Sequence, residues 1–472
     1  MLISIIGQSQ LAEKVAERYY NELAYVKAVE YFEELANKDN PKKDHVKKTA
    51  LCYMEIGDLK KAEFWYTQLV NNYQVTTEEL IQYAYLLKSN KKYDASNRVF
   101  HMVFVRNKQN PIAVAHLENK NYHRDLRRNE KRINLKIMKF NTSYDDFSPV
   151  TVKHKDSLGS ELLFCSNRKA SPFTNSLSNY DNTYFLDLYK VVSADSSKKV
   201  NLLKSAKTKF HDGPVCFSNG GTVMYLTRNN YINGKKQKDS KGNVNLKLFI
   251  ASKQGESWSE LEEFKYNSDQ FSCGHASVTE DGKTMYFISD MPETKGKTDI
   301  FKTTMTDTGW SKPTQVPGVN TSEKEMFPFI TEKGILFFSS YGRVGLGGLD
   351  IYRAYPVDTG FLIINVGYPI NTNFDDFGLI INTDESRGYF SSNRSVMQDS
   401  SYGGDDIYGF TANYPFGPNF DLRGRVTDQM TARLIPNVWV KVINKKTGVI
   451  TDSSFSKTGK FEVLNLLPGE YR

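Results

Sequence analysis

An internal repeat of 34 residues, between about positions 10 and 120, constrains this chain more than any other feature. Two registers of the repeat hold mainly large apolar or aromatic residues, and two hold small residues. The registers are Tyr25, Leu59 and Tyr93; Phe32, Tyr66 and Phe100; Ala28, Ala62 and Ser96; and Ala16, Ala50 and Ala84. Small residues where two helices cross, with large apolar residues one turn later, predict helix pairs stacked into an array.

This pattern resembles the tetratricopeptide repeat family, and we assign it to residues 10–132. The turn within each unit departs from the family, since Gly57 is replaced by Leu23 and Lys91 in the neighbouring units. A further, degenerate helix is predicted from Pro111 to near Arg124. Stacked helix pairs form a groove that either holds a peptide or a partner helix, or serves only to pack the array against the next domain.

The N-terminus and the cysteines carry weaker signals. The apolar run Met1 to Gly7 leads us to interpret residues 1–9 as a signal-peptide remnant, with a plain apolar N-terminus as the alternative. The four cysteines are expected to be buried free thiols, because they lie in apolar or helical segments. No Cys-x-x-Cys pair occurs, so a zinc or redox site is not expected.

Between residues 133 and 414 the pattern changes to short β-branched and aromatic runs broken by turn residues. The segment from Asn141 to Phe147 recurs from Asn371 to Phe377, and more weakly near Asn320. Each unit then has a strand of the type Tyr-Phe-x-Ser, a variable loop, and a strand of the type Asp-Ile-Tyr. Equivalent positions are 149, 214, 276, 328 and 379. Units of this size predict an all-β propeller of five blades, or six if the flanking segments close another. The units resemble TolB-like, WD-type propellers.

An aspartate opens four of the five Asp-Ile-Tyr strands, at positions 187, 299, 350 and 406. It could form a ring of metal-binding or catalytic carboxylates. We favour a structural role instead, in which each aspartate accepts hydrogen bonds from nearby backbone amides. His211 and His275 occupy equivalent blade entrances without a metal-ligand pattern and are expected to be solvated or bonded to backbone.

The sequence therefore predicts no catalytic, cofactor-binding or metal-binding residue and no enzymatic activity. It contains no G-x-S-x-G elbow, phosphate loop or dinucleotide fingerprint. The net charge of +8 is dispersed, apart from a short basic segment from Arg124 to Arg132, so a nucleic-acid partner is not expected.

Residues 415–472 begin a third pattern. Val438, Val440 and Val442 alternate with Trp439 and Lys441. This alternation predicts a strand with one apolar face on a core. With the turns near Gly459 and Gly469, this part resembles a partial carboxypeptidase-regulatory-like β-sandwich. Since the pattern stops at Arg472 with an unpaired edge, we expect the natural sequence to continue.

The order of helical repeats, propeller and sandwich resembles the PorE-type, OmpA-family proteins of Bacteroidetes. The resemblance implies a periplasmic scaffold associated with the outer membrane. Its partners would be a PorP/SprF-type barrel and a type IX secretion or gliding-adhesin complex. An OmpA-like domain would tether it to peptidoglycan, but that domain is missing from this chain. The alternative is a periplasmic glycan- or peptide-binding sensor that uses one face of the propeller.

Loop lengths suggest where a partner binds. The connection between the Tyr-Phe-x-Ser and Asp-Ile-Tyr strands is longest in the first two units, and all five such loops are expected on one face. The loop from Lys169 to Phe185 carries the aromatic residues that we predict to bind a partner. They are Phe173, Tyr180, Tyr184 and Phe185. The lysine-rich loop Asn230 to Asn245 is predicted to be a solvated tip.

Overall fold

The computed structural model divides into two compact units, Met1–Thr411 and Ala412–Arg472. The finer domain boundaries within these units stay predictions. The described residues are 2–127, 130–152, 161–169, 177–178, 180, 182–192, 200–202, 208–232, 235–255, 257–357, 360–394, 404–413, 420–445, 448–466 and 470–472.

The first unit begins with eight helices, and the first six pack consecutively against one another. They are α1 (Leu2–Asn21), α2 (Tyr25–Ala36), α3 (Lys43–Glu55), α4 (Leu59–Asn72), α5 (Thr77–Ser89), α6 (Tyr93–Arg106), α7 (Pro111–Glu118) and α8 (Tyr122–Asp125). The small residues of the repeat are fully buried, as are Phe32 and Phe100, because these positions lie where helices cross. We call these eight helices the helical array.

Local sequence signals explain where several helices begin and end. Thr76 and Glu79 form a reciprocal capping box at the start of α5. The side chain of Asn110 accepts a hydrogen bond from the Ala113 amide before Pro111 opens α7. Leu23, Gly57 and Lys91 all have positive φ, so the turn keeps a left-handed residue even where glycine is replaced. The helix predicted from Pro111 to Arg124 is split into α7 and α8.

The helical array is followed by five four-stranded blades, with extra short strands at some outer edges. After β1 (Ile133–Ile137), blade 1 contains β2 (Asp146–Val150), β3 (Leu162–Ser166), β4 (Asp187–Val191) and β5 (Val200–Leu202). Blade 2 contains β6 (Asp212–Ser218), β7 (Val223–Asn229), the hairpin β8 (Tyr231–Ile232) and β9 (Lys235–Lys236), β10 (Leu246–Gln254), β11 (Ser257–Trp258) and β12 (Glu262–Glu263).

The remaining blades repeat the same antiparallel order. Blade 3 contains β13 (Cys273–Val278), β14 (Thr284–Ser289), β15 (Asp299–Thr306), β16 (Gly309–Trp310) and β17 (Thr314–Gln315). Blade 4 contains β18 (Glu325–Ile330), β19 (Leu336–Ser340), β20 (Asp350–Val357) and β21 (Gly360–Asn365). Blade 5 contains β22 (Asp376–Ile381), β23 (Arg387–Ser392) and β24 (Asp406–Ala412).

Strand β1 closes the ring. It pairs with β24 and so supplies the outermost strand of blade 5, although it precedes blade 1 in the sequence. The amide of Met138 then donates to the carbonyl of Ile407 at 3.0 Å. Because the flanking segment completes the fifth blade and does not build another, the propeller has five blades.

The second unit holds two two-stranded sheets. They are β25 (Phe420–Arg425) with β28 (Lys460–Leu466), and β26 (Val438–Ile443) with β27 (Ile450–Ser456). Val442, Val463 and Leu466 form its small core. On the opposite face of β26, Trp439 is 65% exposed and lies across from Phe455.

In the part of the chain that the structure describes, no helix is both long and apolar enough to cross a membrane.

Candidate functional site

The innermost strands of the propeller share one irregular geometry. Each has a bulge in its pairing with the second strand, and each bulge contains one residue with positive φ. These residues are Ser148, Gly213, His275, Phe327 and Gly378. Each of them lies one residue before the corresponding repeat position identified in the sequence, namely 149, 214, 276, 328 or 379. Since the bulge bends each strand at the same height, the five strands converge on the propeller axis.

Among the described residues, aromatic side chains pack against one another across the axis. The ring centroids of His275 and Phe327 lie 4.2 Å apart, and those of Phe327 and Phe377 lie 4.7 Å apart. Phe147 packs edge-on against Phe377. The cavity lined by the five inner strands has a volume of about 50 Å³. A space of this size holds a water molecule or two but not a sugar or a peptide.

The two histidines at blade entrances have different surroundings. His211 accepts a hydrogen bond from the Leu186 amide at its Nδ1 atom, at 3.2 Å. His275 is buried, and burial lowers the pKa of its imidazole to about 3. Its backbone amide donates to the Thr227 hydroxyl at 2.9 Å. His275 is therefore a neutral packing residue, unlike the solvated or backbone-bonded side chain expected from the sequence.

The recurring aspartates bind backbone where the structure shows their contacts. Asp299 accepts from the amides of Lys295 and Gly296, and Asp350 accepts from those of Leu346 and Gly347. In the described chain, no group of three or more His, Cys, Asp or Glu side chains has a geometry that could hold a metal ion. The backbone contacts of Asp299 and Asp350 fit the structural role favoured from the sequence.

A second acid opens the inner strand of four blades, at Asp146, Asp212, Glu325 and Asp376. Each accepts a hydrogen bond from the amide of a threonine four residues earlier. In three blades an arginine in the second strand or two residues after it pairs with the acid, as in the 2.5 Å contact between Arg394 and Asp376. Arg168 and Arg228 form the other two pairs. The sequence signal for these pairs is an arginine one or two residues after a Ser or Thr of the second strand. Our interpretation of the sequence did not include it.

The asparagine of the repeated Asn-Thr motif joins neighbouring blades. Asn371 is fully buried and makes two 2.8 Å hydrogen bonds to Ile351, the second residue of the third strand in the previous blade. Asn320 bonds Ile300 in the same way, and Asn141 bonds Ile407. The repeat found in the sequence therefore marks blade junctions.

The helical array packs on the propeller face that carries the loops between second and third strands. Tyr85 of α5 is fully buried, and its ring lies 5.0 Å from that of Tyr341 at the end of β19. Its hydroxyl donates to the carbonyl of Gly342 at 3.3 Å. Tyr93 donates to the Leu346 carbonyl at 3.2 Å. We call this contact between α5, α6 and the loops of blades 4 and 5 the array junction.

A buried lysine lies within the array junction. Lys88 is 0% exposed, and its ammonium has no hydrogen-bond partner among the described residues. Burial lowers the pKa of Lys88, while Asp350 and Asp375 oppose that shift. Burial in turn raises the pKa of Asp350 and of Asp375. The lysine is therefore held by long-range attraction to carboxylates and by the ring of Tyr85, 5.0 Å from its Nζ.

Glycines allow these carboxylates to approach the loops. A Cβ atom on Gly345 would lie 2.1 Å from Asp350 Oδ2, and one on Gly348 would lie 2.1 Å from Asp375 Oδ1. Asp405, near Asp145 and Asp375, has a pKa raised by burial and by those neighbouring charges. The arrangement groups buried acidic side chains in these loops. The paired glycines before Asp350 and Asp405 were the sequence signal that could have located it.

The structure places three of the four predicted partner-binding residues. Tyr180 is 39% exposed, packs edge-on against Tyr25 of α2 at 5.2 Å, and donates its hydroxyl to Glu55 at 2.8 Å. Tyr184 packs on Tyr144, and Phe185 packs on Phe210 and His211. Phe173 lies outside the described residues. Partner binding by these residues stays a prediction, and Tyr180 also contacts the array of its own chain.

The structure also shows where the loop lysines, the cysteines and the tryptophans lie. The four lysines of the predicted solvated tip are exposed, namely Lys235, Lys236, Lys238 and Lys241. All four cysteines are free thiols, three of them buried. None of the three tryptophans of the first unit lies in an innermost strand of the propeller. Trp65 packs in the array, Trp258 and Trp310 in outer strands of blades 2 and 3, and Trp439 in the second unit.

Comparison with known proteins gives matches to solved structures only. No protein-family model matches the sequence, and no curated protein matches it. A puromycin-hydrolyzing peptidase of Mycobacterium tuberculosis is 13% identical with a TM-score of 0.32, and the match covers 62% of this chain and 38% of the peptidase. A thermostable family-43 glycoside hydrolase is 13% identical with a TM-score of 0.34, covering 57% of this chain and 89% of that chain. An alpha-L-arabinofuranosidase from Lactobacillus brevis is 13% identical with a TM-score of 0.35, covering 59% and 92%.

These matches correct one expectation. The sequence led us to expect no enzymatic activity, and the comparison contradicts that prediction, since the similar solved structures are a peptidase and glycoside hydrolases. At this level of similarity the likeness assigns neither a substrate nor a catalytic residue to the chain.

Proposed function

We propose that this chain is a binding scaffold in which the propeller carries the helical array and presents it to protein partners. The observation that carries the proposal is the array junction. The loop face of a propeller is a common ligand-binding surface, and here α5 and α6 occupy part of it through buried contacts. Binding to other proteins is then expected on the outer surface of the array.

The exposed side of the array supports this proposal. Phe64 of α4 is 56% exposed, and Val105 of α6 is 64% exposed. Phe64 also lines a shallow cavity of about 450 Å³ together with Lys60 and Gln68. Large apolar side chains at such positions are typical of surfaces that bind another protein.

The finer form of the proposal follows from the family resemblance. The array would be a tetratricopeptide array, and the protein a PorE-like member of the OmpA family. It would act in the periplasm beside an outer-membrane PorP/SprF-type barrel and a type IX secretion or gliding-adhesin complex. The tether to peptidoglycan would lie outside these 472 residues.

Photo-crosslinking in the native cell tests the scaffold role. A photoreactive phenylalanine analogue replaces Phe64 in one strain and Lys312 of blade 3, whose side chain is 81% exposed, in a control strain. We expect a specific protein adduct from position 64 only, and the finer form of the proposal predicts that the adduct contains an outer-membrane protein. Equal adducts from both positions, or none from position 64, would contradict the proposal.

Cell fractionation tests the compartment separately. The proposed location predicts the protein in the periplasmic and outer-membrane fractions. Recovery in the cytosol would remove the family-based part of the proposal and leave the scaffold role to the crosslinking result.

A further inference from the structure

A cleft lies where the helical array meets blade 5, and the function proposed above does not use it. Its volume is about 410 Å³. Its walls come from the turn between α5 and α6, the residues after α8, strands β1 and β24, and the loop that leads into β22. This volume is within the range of pockets that bind small molecules or short chain ends.

The charged side chains that line the cleft are all cationic. They are Lys91, Arg127 and Arg394, and no carboxylate is among the lining residues. Arg394 is neutralised by Asp376 at 2.5 Å. Lys91 and Arg127 are exposed, and in the described part of the chain neither has a carboxylate within ion-pair distance. Two unneutralised cations at one cleft favour an anionic ligand.

Arg127 can offer its guanidinium N–H groups to a ligand in the cleft. Its guanidinium lies over the ring of Tyr368, with Cζ 4.4 Å from the ring centroid. This contact uses the face of the guanidinium and so fixes the orientation of its plane. The N–H groups at the edge of the guanidinium can then form the paired hydrogen bonds that carboxylates accept. The stacked arginine thus supplies an orienting contact, and Lys91 supplies a second charge.

An apolar part of the lining comes mainly from an edge strand. Leu135 and Ile137 of β1 are half-buried and line the cleft together with Phe374. Within the described chain β1 pairs with β24 alone, at one end of the sheet of blade 5. An edge strand can bond an extended peptide backbone, while the side chains beside it select apolar residues.

We propose that this cleft binds the C-terminal end of a peptide from a partner protein. The terminal carboxylate lies at Lys91 and Arg127, and the last apolar side chain packs on Leu135, Ile137 and Phe374. The charge, the apolar wall and the edge strand fit a peptide end better than a free organic acid, which would use the cations only. The inference does not depend on the compartment or on the assembly proposed above.

Saturation-transfer NMR with short peptides tests the inference. The probes are N-acetylated tripeptides that end in Leu or Phe, each with a free carboxylate or a C-terminal amide, and glucuronate serves as a free acid. We expect at least fivefold more saturation transfer to the free-acid peptides than to the amides. Equal transfer to acids and amides, or transfer to glucuronate alone, would overturn the proposal.

Variants place the binding at the cleft. Lys91→Gln combined with Arg127→Gln is expected to reduce transfer to the free-acid peptides at least fivefold. The matched control is Lys283→Gln combined with Lys312→Gln, two exposed lysines of blade 3, which is expected to leave transfer unchanged. Because all four side chains are exposed, both variants should fold, and an equal melting temperature checks this. Full transfer to the cleft variant would refute the site.

Discussion

Blades 4 and 5 place an acid at the same point of the innermost strand but neutralise it in different ways. In blade 5, Asp376 forms a 2.5 Å ion pair with Arg394. In blade 4, the corresponding Glu325 accepts from the hydroxyl of Ser340 at 2.6 Å, and Arg343 donates instead to the carbonyls of Gly318 and Val319. Both acids are 0% exposed.

This difference separates two ways of burying an acid. Burial raises the pKa of the paired Asp376, but the charge of Arg394 opposes that shift. Such a carboxylate depends on its partner, because loss of one ion leaves the other buried and unpaired. A carboxyl that is held by neutral donors instead gains a proton more easily. Burial raises the pKa of Glu325 to about 7, against an ordinary value of 4.5.

The largest effect is expected for Arg394→Ala. It removes the partner of Asp376 together with hydrogen bonds to the carbonyls of Pro369 and Ile370. We expect the free energy of unfolding to fall by about 3–5 kcal/mol. Urea denaturation followed by tryptophan fluorescence measures this. Arg423→Ala, which breaks the exposed pair with Glu462, is the control and should cost less than about 1 kcal/mol.

The next effect is a pH dependence that arises from Glu325. Its folded pKa of about 7 lies above the unfolded value, so its contribution to stability is full below about pH 4.5 and is lost as the pH rises through 7. Over that window the loss reaches about 3 kcal/mol. Glu325→Gln cannot ionise and should make the stability curve flatter between pH 4.5 and 7.5. A variant curve parallel to that of the wild type would contradict the assignment.

A smaller loss is expected for Arg343→Ala. It leaves the carbonyls of Gly318 and Val319 without this donor but breaks no direct ion pair. A cost of about 1–3 kcal/mol follows from the lost hydrogen bonds. If denaturation shows the same loss for Arg343→Ala as for Arg394→Ala, the contrast between the two blades fails.

The smallest effect is expected at the array junction. Tyr85→Phe keeps the ring against Tyr341 and removes one hydrogen bond to Gly342, at a cost of about 1 kcal/mol. Hydrogen exchange in residues 341–349 should become faster. Tyr83→Phe removes a bond to Thr67 within the array and serves as the control, since it should leave that segment unchanged.

Much of the fold could be predicted because it depends on local, repeated patterns. The registers of Ala28, Phe32 and their equivalents predicted the packing positions of the helices, and all of the small ones are buried. The Asp-Ile-Tyr strands begin where the sequence placed them, for example β20 at Asp350 and β24 at Asp406. The sequence predicted five or six blades. The structure has five because β1 pairs with β24, a contact between residues about 270 positions apart that no local pattern encodes.

The candidate site was less predictable for the same reason. Asp350 and Asp375 could be recognised as recurring acids, but not as neighbours of Lys88, which belongs to a different repeat. The cleft at Lys91 and Arg127 likewise joins a helix turn to an edge strand and a loop. Only the packing of the array on the propeller brings these groups together.

The sequence by itself determined the two kinds of repeat, the order of helical and β-rich parts, and the acids and asparagines that each blade reuses. These follow from side-chain size, periodicity and turn chemistry, which act over a few residues. The tertiary structure decided which acids gained an arginine, that the array occupies part of the loop face, and that Lys88 is buried beside carboxylates. Those outcomes depend on burial and on charges brought together from distant parts of the chain, and neither exists until the chain has folded.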